Sequence, residues 1–204
     1  MEIELKEIGK RYGNRWVFKN ISYRLENRNS LAICGRNGSG KSTLLKAIAN
    51  FLSPTVGTLT YRVDGTEIAP EVAMLSMAYV GPDQNLIEEL TLKEHIEFHS
   101  RFKKPKIKKK EMISKAGLAG KENVFVRDFS TGMKQRLKLL FCFYYTHDVL
   151  LFDEPTSYMD AQGIQWYNDE MNEAINAMTV VIASNQPHEY ELVEDRISLE
   201  DYKL

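Results

Sequence analysis

The sequence predicts an α/β protein in which a helical insertion interrupts a parallel sheet. Short, continuously apolar segments are typical of strands that are buried on both faces. Four such segments are spaced along the chain: Ser30–Cys34, Met77–Val80, Val149–Phe152 and Thr179–Ala183. From about Asn85 to Tyr145 the apolar side chains instead recur mainly at helical spacing. A length of 204 residues suits a single domain, residues 1–204, that contains this insertion as a subdomain.

The N-terminal part of the chain predicts antiparallel structure. Alternation of apolar and polar side chains indicates half-buried strands, and Asp64-Gly65 is a strong signal for a hairpin turn. We therefore expect an N-terminal antiparallel β subdomain, with strands at Glu2–Ile8, Val17–Tyr23, Thr58–Val63 and Glu67–Ile68. The remaining predicted elements are helices over Lys41–Asn50 and Ala161–Ala177 and a last strand over Arg196–Leu199.

Composition and charge narrow the possible functions. Hydrophobic residues make up 43% and charged residues 27% of the chain, which is typical of a globular protein. The formal net charge of -1 gives no electrostatic reason to expect a nucleic-acid partner. No apolar run approaches the ~18 residues of a membrane span, and Met1–Lys10 lacks the pattern of a signal peptide. A cytoplasmic location is therefore expected.

The strongest functional signal is a phosphate-binding loop directly after a predicted strand and before a predicted helix. It matches the pattern G-x-x-x-x-G-K-S/T in full, over Gly35, Arg36, Asn37, Gly38, Ser39, Gly40, Lys41, Ser42 and Thr43. Glycines let backbone amides approach phosphate oxygens, and the helix N-terminus favours an anion. The Lys41 ammonium is expected on the β- and γ-phosphates and the Ser42 hydroxyl on Mg²⁺. ATP and Mg²⁺ are the predicted cofactors.

An acid pair ends the apolar strand Val149–Phe152. Ligands of α/β proteins bind at the carboxyl ends of their strands, where Asp153 and Glu154 follow. Asp153 is expected to reach the metal through a water molecule, and Glu154 to orient or deprotonate the attacking water. By itself such a pair is also compatible with a solvated turn, and its catalytic interpretation depends on the phosphate loop.

These motifs and the insertion between them resemble, over essentially the whole chain, the ATP-binding subunits of ABC transporters in the P-loop NTPase superfamily. The segment FSTGMKQR, which starts at Phe129, is similar to the family signature, usually LSGGQ. Ser130 and Gly132 keep the pattern, whereas Thr131 and Met133 depart from it. The resemblance implies that Ser130 and the Gly132 backbone contact the γ-phosphate of ATP held by the other subunit of a homodimer.

Further positions are assigned by the resemblance alone. Gln84, after the strand Met77–Val80, matches the glutamine that senses magnesium and nucleotide beside the membrane partner. The segment Ser157–Asp160 matches the family's D-loop. Tyr12 lies where the family stacks an aromatic ring on adenine, although a tyrosine here is also compatible with simple packing. A separate transmembrane permease is the implied partner, which places the chain at the cytoplasmic face of the membrane.

One position departs from the family pattern. The family usually has a histidine after the strand that corresponds to Thr179–Ala183, whereas this chain has Asn185 in that register. His188 lies three residues further on and is the alternative γ-phosphate contact. Asparagine donates a hydrogen bond but carries no positive charge. We therefore expect slower hydrolysis than is usual in the family, with Asn185 in the histidine's place.

Two functional alternatives stay open at this point. The resemblance is also compatible with a non-transport ABC ATPase, or with a regulatory ABC subunit of slow turnover, which Asn185 suggests. A basic stretch, Lys103–Lys110, contains six lysines. It is either a solvated loop and helix start or a contact for a polyanion or anionic lipid.

Overall fold

The described residues of the computed structural model, 1–202, form one antiparallel and one parallel sheet with helices packed on them. The strands are β1 Glu2–Tyr12, β2 Arg15–Leu25, β3 Ser30–Cys34, β4 Val56–Val63, β5 Thr66–Ile68, β6 Met77–Val80, β7 Val149–Asp153, β8 Thr179–Ala183 and β9 Asp195–Ser198. The helices are α1 Lys41–Ile48, α2 Pro70–Met74, α3 Leu92–His99, α4 Lys109–Lys115, α5 Thr131–Phe143 and α6 Ala161–Ala177, with 3-10 turns at Val126–Asp128, Pro187–Glu189 and Leu199–Tyr202. The antiparallel sheet has the order β2-β1-β4-β5 and the parallel sheet β6-β7-β8-β3-β9. The predicted α/β class, with an antiparallel and a parallel sheet, is confirmed.

The central strands of the parallel sheet are apolar along most of their length because both of their faces are covered. Along β7, Leu150 and Phe152 pack into the core under α5 and α6, whereas Val149 and Leu151 pack into the core around α1. All residues of β7 and β8 are buried. Because the sheet is covered on both faces, the ends of its strands keep fixed positions relative to one another. The candidate site lies at these ends.

The antiparallel strands are longer than the sequence pattern predicted. β1 and β2 continue through a hairpin turn at Gly13-Asn14, and their pairing register shifts at several points between Leu5 and Arg11. Glu7 and Asn20 adopt positive φ angles of 50° and 61°. Such bulges change which face a side chain occupies. The two-residue alternation of apolar and polar side chains is lost there, so the strands predicted from it were too short.

The segment between β6 and β7 contains α3, α4 and α5, separated by irregular connections. Thr91 and Glu94 form a reciprocal capping box at the start of α3, which stabilises the exposed end of a short helix. The connections take up much of the segment, so it is less helical than its apolar spacing predicted. Within residues 1–202 the structure contains no helix long and apolar enough to cross a membrane.

Several lysines of the basic stretch make contacts within the protein. Lys103 donates to the backbone carbonyl of Leu75. Lys106 donates to the carbonyl of Phe143 at 3.3 Å, and Lys109 pairs with a glutamate on α3 at 2.7 Å. These contacts favour a structural role for part of the stretch, and a polyanion contact stays a prediction.

Candidate functional site

The candidate site lies where three neighbouring parallel strands end. β7, β8 and β3 are adjacent in the sheet. The phosphate loop follows β3, the acid pair ends β7, and Ser184-Asn185 follows β8. Parallel strands bring their carboxyl ends to one edge, so segments far apart in the sequence meet there.

The phosphate loop requires glycine where it turns into α1. Gly40 has a φ of 106°, and a Cβ at this position would lie 2.4 Å from Cγ1 of Val17. A side chain at Gly40 would be both strained and blocked. The first turn of α1 therefore presents backbone N–H groups at the loop with no side chain in front of them, which suits a phosphate.

Lys41 is held within the loop. Its side chain lies almost wholly inside the protein, at 5% exposure, and its Nζ donates to the carbonyls of Gly35 at 2.9 Å and Arg36 at 3.1 Å. The hydroxyl of Ser39 is buried and has no hydrogen-bond partner among the described residues. Both side chains thus place polar groups inside the loop, where a phosphate oxygen would meet them.

Ser42 and Asp153 form the polar junction between α1 and β7. The Ser42 Oγ donates to Asp153 Oδ1 at 2.9 Å. Asp153 is 2% exposed, and its Oδ2 has no partner among the described residues. Burial raises the pKa of Asp153, and the nearby carboxylate of Glu154 adds to the rise. A divalent cation would stabilise the ionised form and satisfy the orphaned oxygen.

A second orphaned oxygen lies in the same region. The Oε1 of Gln84 is buried without a hydrogen-bond partner in the part of the chain that the structure describes. Gln84 and Asp153 line a common cavity of about 330 Å³. Hydroxyl, carboxylate and amide oxygens are the hard ligands that Mg²⁺ prefers, so the set Ser42, Asp153 and Gln84 fits this ion.

Glu154 lies between two cavities. Its backbone N–H donates to the carbonyl of Ala183 on β8 at 2.9 Å, and its φ of 48° is in the left-handed region. This conformation is uncommon for a residue with a side chain. It turns Glu154 out of the strand direction, and the residue lines both the cavity with Gln84 and a larger one at the phosphate loop.

The larger cavity, about 860 Å³, extends from the phosphate loop to the hairpin between β1 and β2. Tyr12 lies at its rim with 56% of its surface exposed, so its ring is available for stacking. The sequence analysis did not single out the other hairpin residues that line it: Asn14, Arg15, Trp16 and Val17. The Gly13-Asn14 pair was the signal for a hairpin that would have brought them there.

The signature segment is placed apart from the phosphate loop. Ser130 is exposed, and its Oγ accepts from the Met133 N–H at 3.2 Å as the N-cap of α5. At Gly132 a Cβ would lie 2.9 Å from the Tyr158 carbonyl oxygen, which accounts for glycine here. Within the described chain, neither Ser130 nor Gly132 lines the phosphate-loop cavity.

Asn185 and His188 occupy different environments. The Asn185 Nδ2 donates to the Oδ1 of Asn37 in the phosphate loop at 2.9 Å. His188 lies with its Nε2 3.1 Å from the Thr156 Oγ1. This arrangement favours Asn185 as the γ-phosphate contact, because it is the side chain that touches the phosphate loop.

The ABC transporter family model matches residues 18–157. The match includes the phosphate loop, the signature segment and the acid pair. The chain belongs to the ABC transporter family. The chain is an ABC ATP-binding domain, and ABC ATP-binding domains are ATPases.

Individual ABC relatives match nearly the whole chain. An uncharacterized ABC transporter ATP-binding protein of Bacillus subtilis, YybJ, is 31% identical over 99% of this chain and 91% of its own. The cytochrome c biogenesis ATP-binding export protein CcmA of Agrobacterium fabrum is 29% identical, over 92% and 90% of the two chains.

The fold is also shared with solved ABC structures. A putative ABC transporter ATP-binding protein from Pyrococcus furiosus superimposes with a TM-score of 0.83 over 100% of both chains, at 19% identity. A dimeric post-hydrolysis state of an ATP-binding cassette, bound to ADP and phosphate, gives a TM-score of 0.78 at 21% identity, over 98% of this chain and 94% of its own.

Proposed function

We propose that this chain is the ATP-hydrolysing subunit of an ABC transporter and works as a head-to-tail homodimer with a separate membrane permease. The observation that carries the proposal is the Ser42–Asp153 junction, with an orphaned carboxylate oxygen beside Glu154 at the end of the phosphate loop. Several relatives are named as transport or export proteins, which supports the transport role over the non-transport alternatives. With such a partner, the chain would lie at the cytoplasmic face of the membrane, and residues about 85–145 would act as its helical subdomain.

ATP would lie across the larger cavity. The phosphates would be held by the amides of the loop from Gly35 to Thr43 and by Lys41, which would exchange a bond to a loop carbonyl for one to a phosphate oxygen. The adenine would then reach the exposed ring of Tyr12 at the other end. The cavity spans both groups.

Ser42, Asp153 and Gln84 would hold Mg²⁺ through their oxygens. The ion would neutralise charge that develops on the β- and γ-phosphates. Binding would also compensate for the burial of Asp153, whose ionised form is disfavoured without a cation.

Hydrolysis requires a positioned water, and Glu154 would orient or deprotonate it. Asn185 would donate to the γ-phosphate or to that water from beside the phosphate loop, where it already contacts Asn37. Ser130 lies outside this cavity, so the partner subunit's Ser130 would complete the site. Two such composite sites would form in the dimer.

The test is Glu154→Gln, which keeps the shape of the side chain but removes the base. A general base contributes about 10²- to 10⁴-fold to rate, and we expect magnesium-dependent turnover to fall by at least ~100-fold while ATP binding persists. ATP with magnesium should then trap a dimer, visible as a doubled mass in gel filtration with light scattering. Glu191→Gln, at an exposed glutamate, is the matched control. Turnover at the parental rate in Glu154→Gln would remove Glu154 from the proposed mechanism.

A further inference from the structure

A buried carboxylate lies behind the candidate catalytic residues. Glu189, in the 3-10 turn after β8, is only 2% exposed. Its side chain accepts three hydrogen bonds, from the Thr156 backbone N–H, the Thr156 hydroxyl and the Ser184 hydroxyl. Burying a carboxylate is unfavourable unless its oxygens are satisfied. Here donors from two separate loops satisfy them.

The first loop is the one that carries Glu154. Thr156 lies two residues after Glu154, and its backbone N–H and hydroxyl both point at Glu189 Oε1, the N–H at 2.8 Å. Because the hydroxyl proton goes to the carboxylate, the His188 Nε2 must supply the proton in its 3.1 Å contact with Thr156 Oγ1. His188 thus serves the same network.

The second loop is the one that carries Asn185. The Ser184 hydroxyl donates to Glu189 Oε2 and accepts from the backbone N–H of Gln186 at 2.9 Å. Asn185 is therefore at the apex of a turn whose two sides are joined through Ser184. From that apex it reaches Asn37 of the phosphate loop.

The backbone of Glu189 is fixed as well. The buried Tyr167 of α6 donates from its hydroxyl to the Glu189 carbonyl at 3.1 Å. The backbone that carries the carboxylate is thus held in place, and the carboxylate itself contacts both loops.

We propose that Glu189 is a positioning residue for ATP hydrolysis, one that sets the Glu154 loop and the Asn185 turn in a fixed relation. The inference rests on the proposed function of the site. A carboxylate is required because both of its oxygens accept. An amide would present an NH₂ group to a donor from one of the two loops, and that loop would shift. Misplacement of catalytic groups by about 1 Å can cost ~100-fold in rate.

The experiment compares full-length variants by kcat, ATP affinity and thermal midpoint. In Glu189→Gln we expect kcat at saturating ATP and magnesium to fall ~10- to 100-fold, with ATP affinity retained, because Lys41 and the backbone of the phosphate loop do not contact Glu189. Thr156→Val, which removes the hydroxyl donor to Glu189, should also lower kcat. Thr156→Ser keeps the hydroxyl and should retain wild-type kcat. Glu191→Gln is the control for a lost glutamate close by in the sequence.

The outcomes separate this inference from the proposed function. A wild-type chain without magnesium-dependent turnover would overturn the proposed function and this inference with it. An active wild type with unchanged kcat in Glu189→Gln would overturn the inference alone. A parallel loss of ATP affinity and kcat would show a general structural role and would also overturn it. If Glu189→Gln does not fold, Thr156→Val decides: wild-type kcat in that variant contradicts the proposal.

Discussion

The two regions that are expected to contact ATP both lie at the start of a helix, but they are built differently. Where the phosphate loop enters α1 it is fixed to the core, with Lys41 buried and Ser42 hydrogen-bonded to the buried Asp153. The signature segment at α5 is exposed, and its Ser130 hydroxyl is engaged in capping its own helix. The first region can hold a nucleotide within one chain. In the proposed dimer, the second would contact nucleotide only when the partner subunit approaches it.

The two regions also require glycine for different structural reasons. At Gly40 the backbone is left-handed and packed against Val17, which turns the chain into α1. At Gly132 the φ angle is ordinary, and the limiting contact is the Tyr158 carbonyl oxygen. The signature helix is thus packed on the segment that follows Glu154.

The largest expected effect comes from the phosphate-loop side. Lys41→Ala removes a charged donor, and hydrogen bonds to charged groups contribute about 1.5–3 kcal/mol, or roughly ten- to 150-fold in Kd. We expect ATP binding measured by calorimetry to weaken by this factor and turnover to be lost. Lys110→Ala, at an exposed lysine of α4, should bind ATP normally. Unchanged ATP affinity in a folded Lys41→Ala chain would contradict the assignment of the phosphate loop.

A change on the signature side should separate binding from turnover. Ser130→Arg places a bulky cation at the exposed helix start, so a single chain should still bind ATP while turnover falls by about 100-fold or more. Mixing Ser130→Arg chains with Lys41→Ala chains should restore part of the activity. In such a heterodimer one site combines an intact phosphate loop with an intact signature. Failure of this mixture to recover any turnover would argue against the head-to-tail geometry.

The sequence predicted the parts of the site that are local. The phosphate loop is one continuous segment between a strand and a helix, and Asp153-Glu154 directly ends an apolar strand. The parallel sheet then brings these ends together, because parallel strands end at one edge. The pairings of β3 with β8 and of β7 with β8 are parallel, as this expectation requires.

Long-range side-chain contacts could not be predicted in this way. Glu189 is an acidic residue in a polar segment and suggests a solvated position, yet it contacts Thr156 across 33 residues of chain. The engagement of Asn185 with Asn37 spans 148 residues. Neither pairing leaves a spacing signal. The bulges of β1 and β2 were missed for a related reason, since a bulge erases the alternation that marks a strand.

The smallest expected effect, and the sharpest test of the Asn185 turn, is Asn185→His. Asn185 already donates toward the phosphate loop at Asn37, so histidine adds charge rather than a first hydrogen bond. A hydrogen bond to a charged group contributes about 1.5–3 kcal/mol, and each ~1.4 kcal/mol is tenfold in rate. Because histidine would replace an existing neutral donor, the gain should lie at the low end of this range. We expect kcat to rise by a few-fold to about tenfold.

His188→Ala is the matched change in the same turn. His188 contacts Thr156 and not the phosphate loop, so its loss should lower turnover only slightly, through a weaker Thr156 network. A steady-state ATPase assay on both variants distinguishes the two residues. If His188→Ala abolished hydrolysis while Asn185→His left it unchanged, His188 would be the γ-phosphate contact. The turn would then have to change register on nucleotide binding, and the fixed relation that Glu189 imposes would have to break at that step.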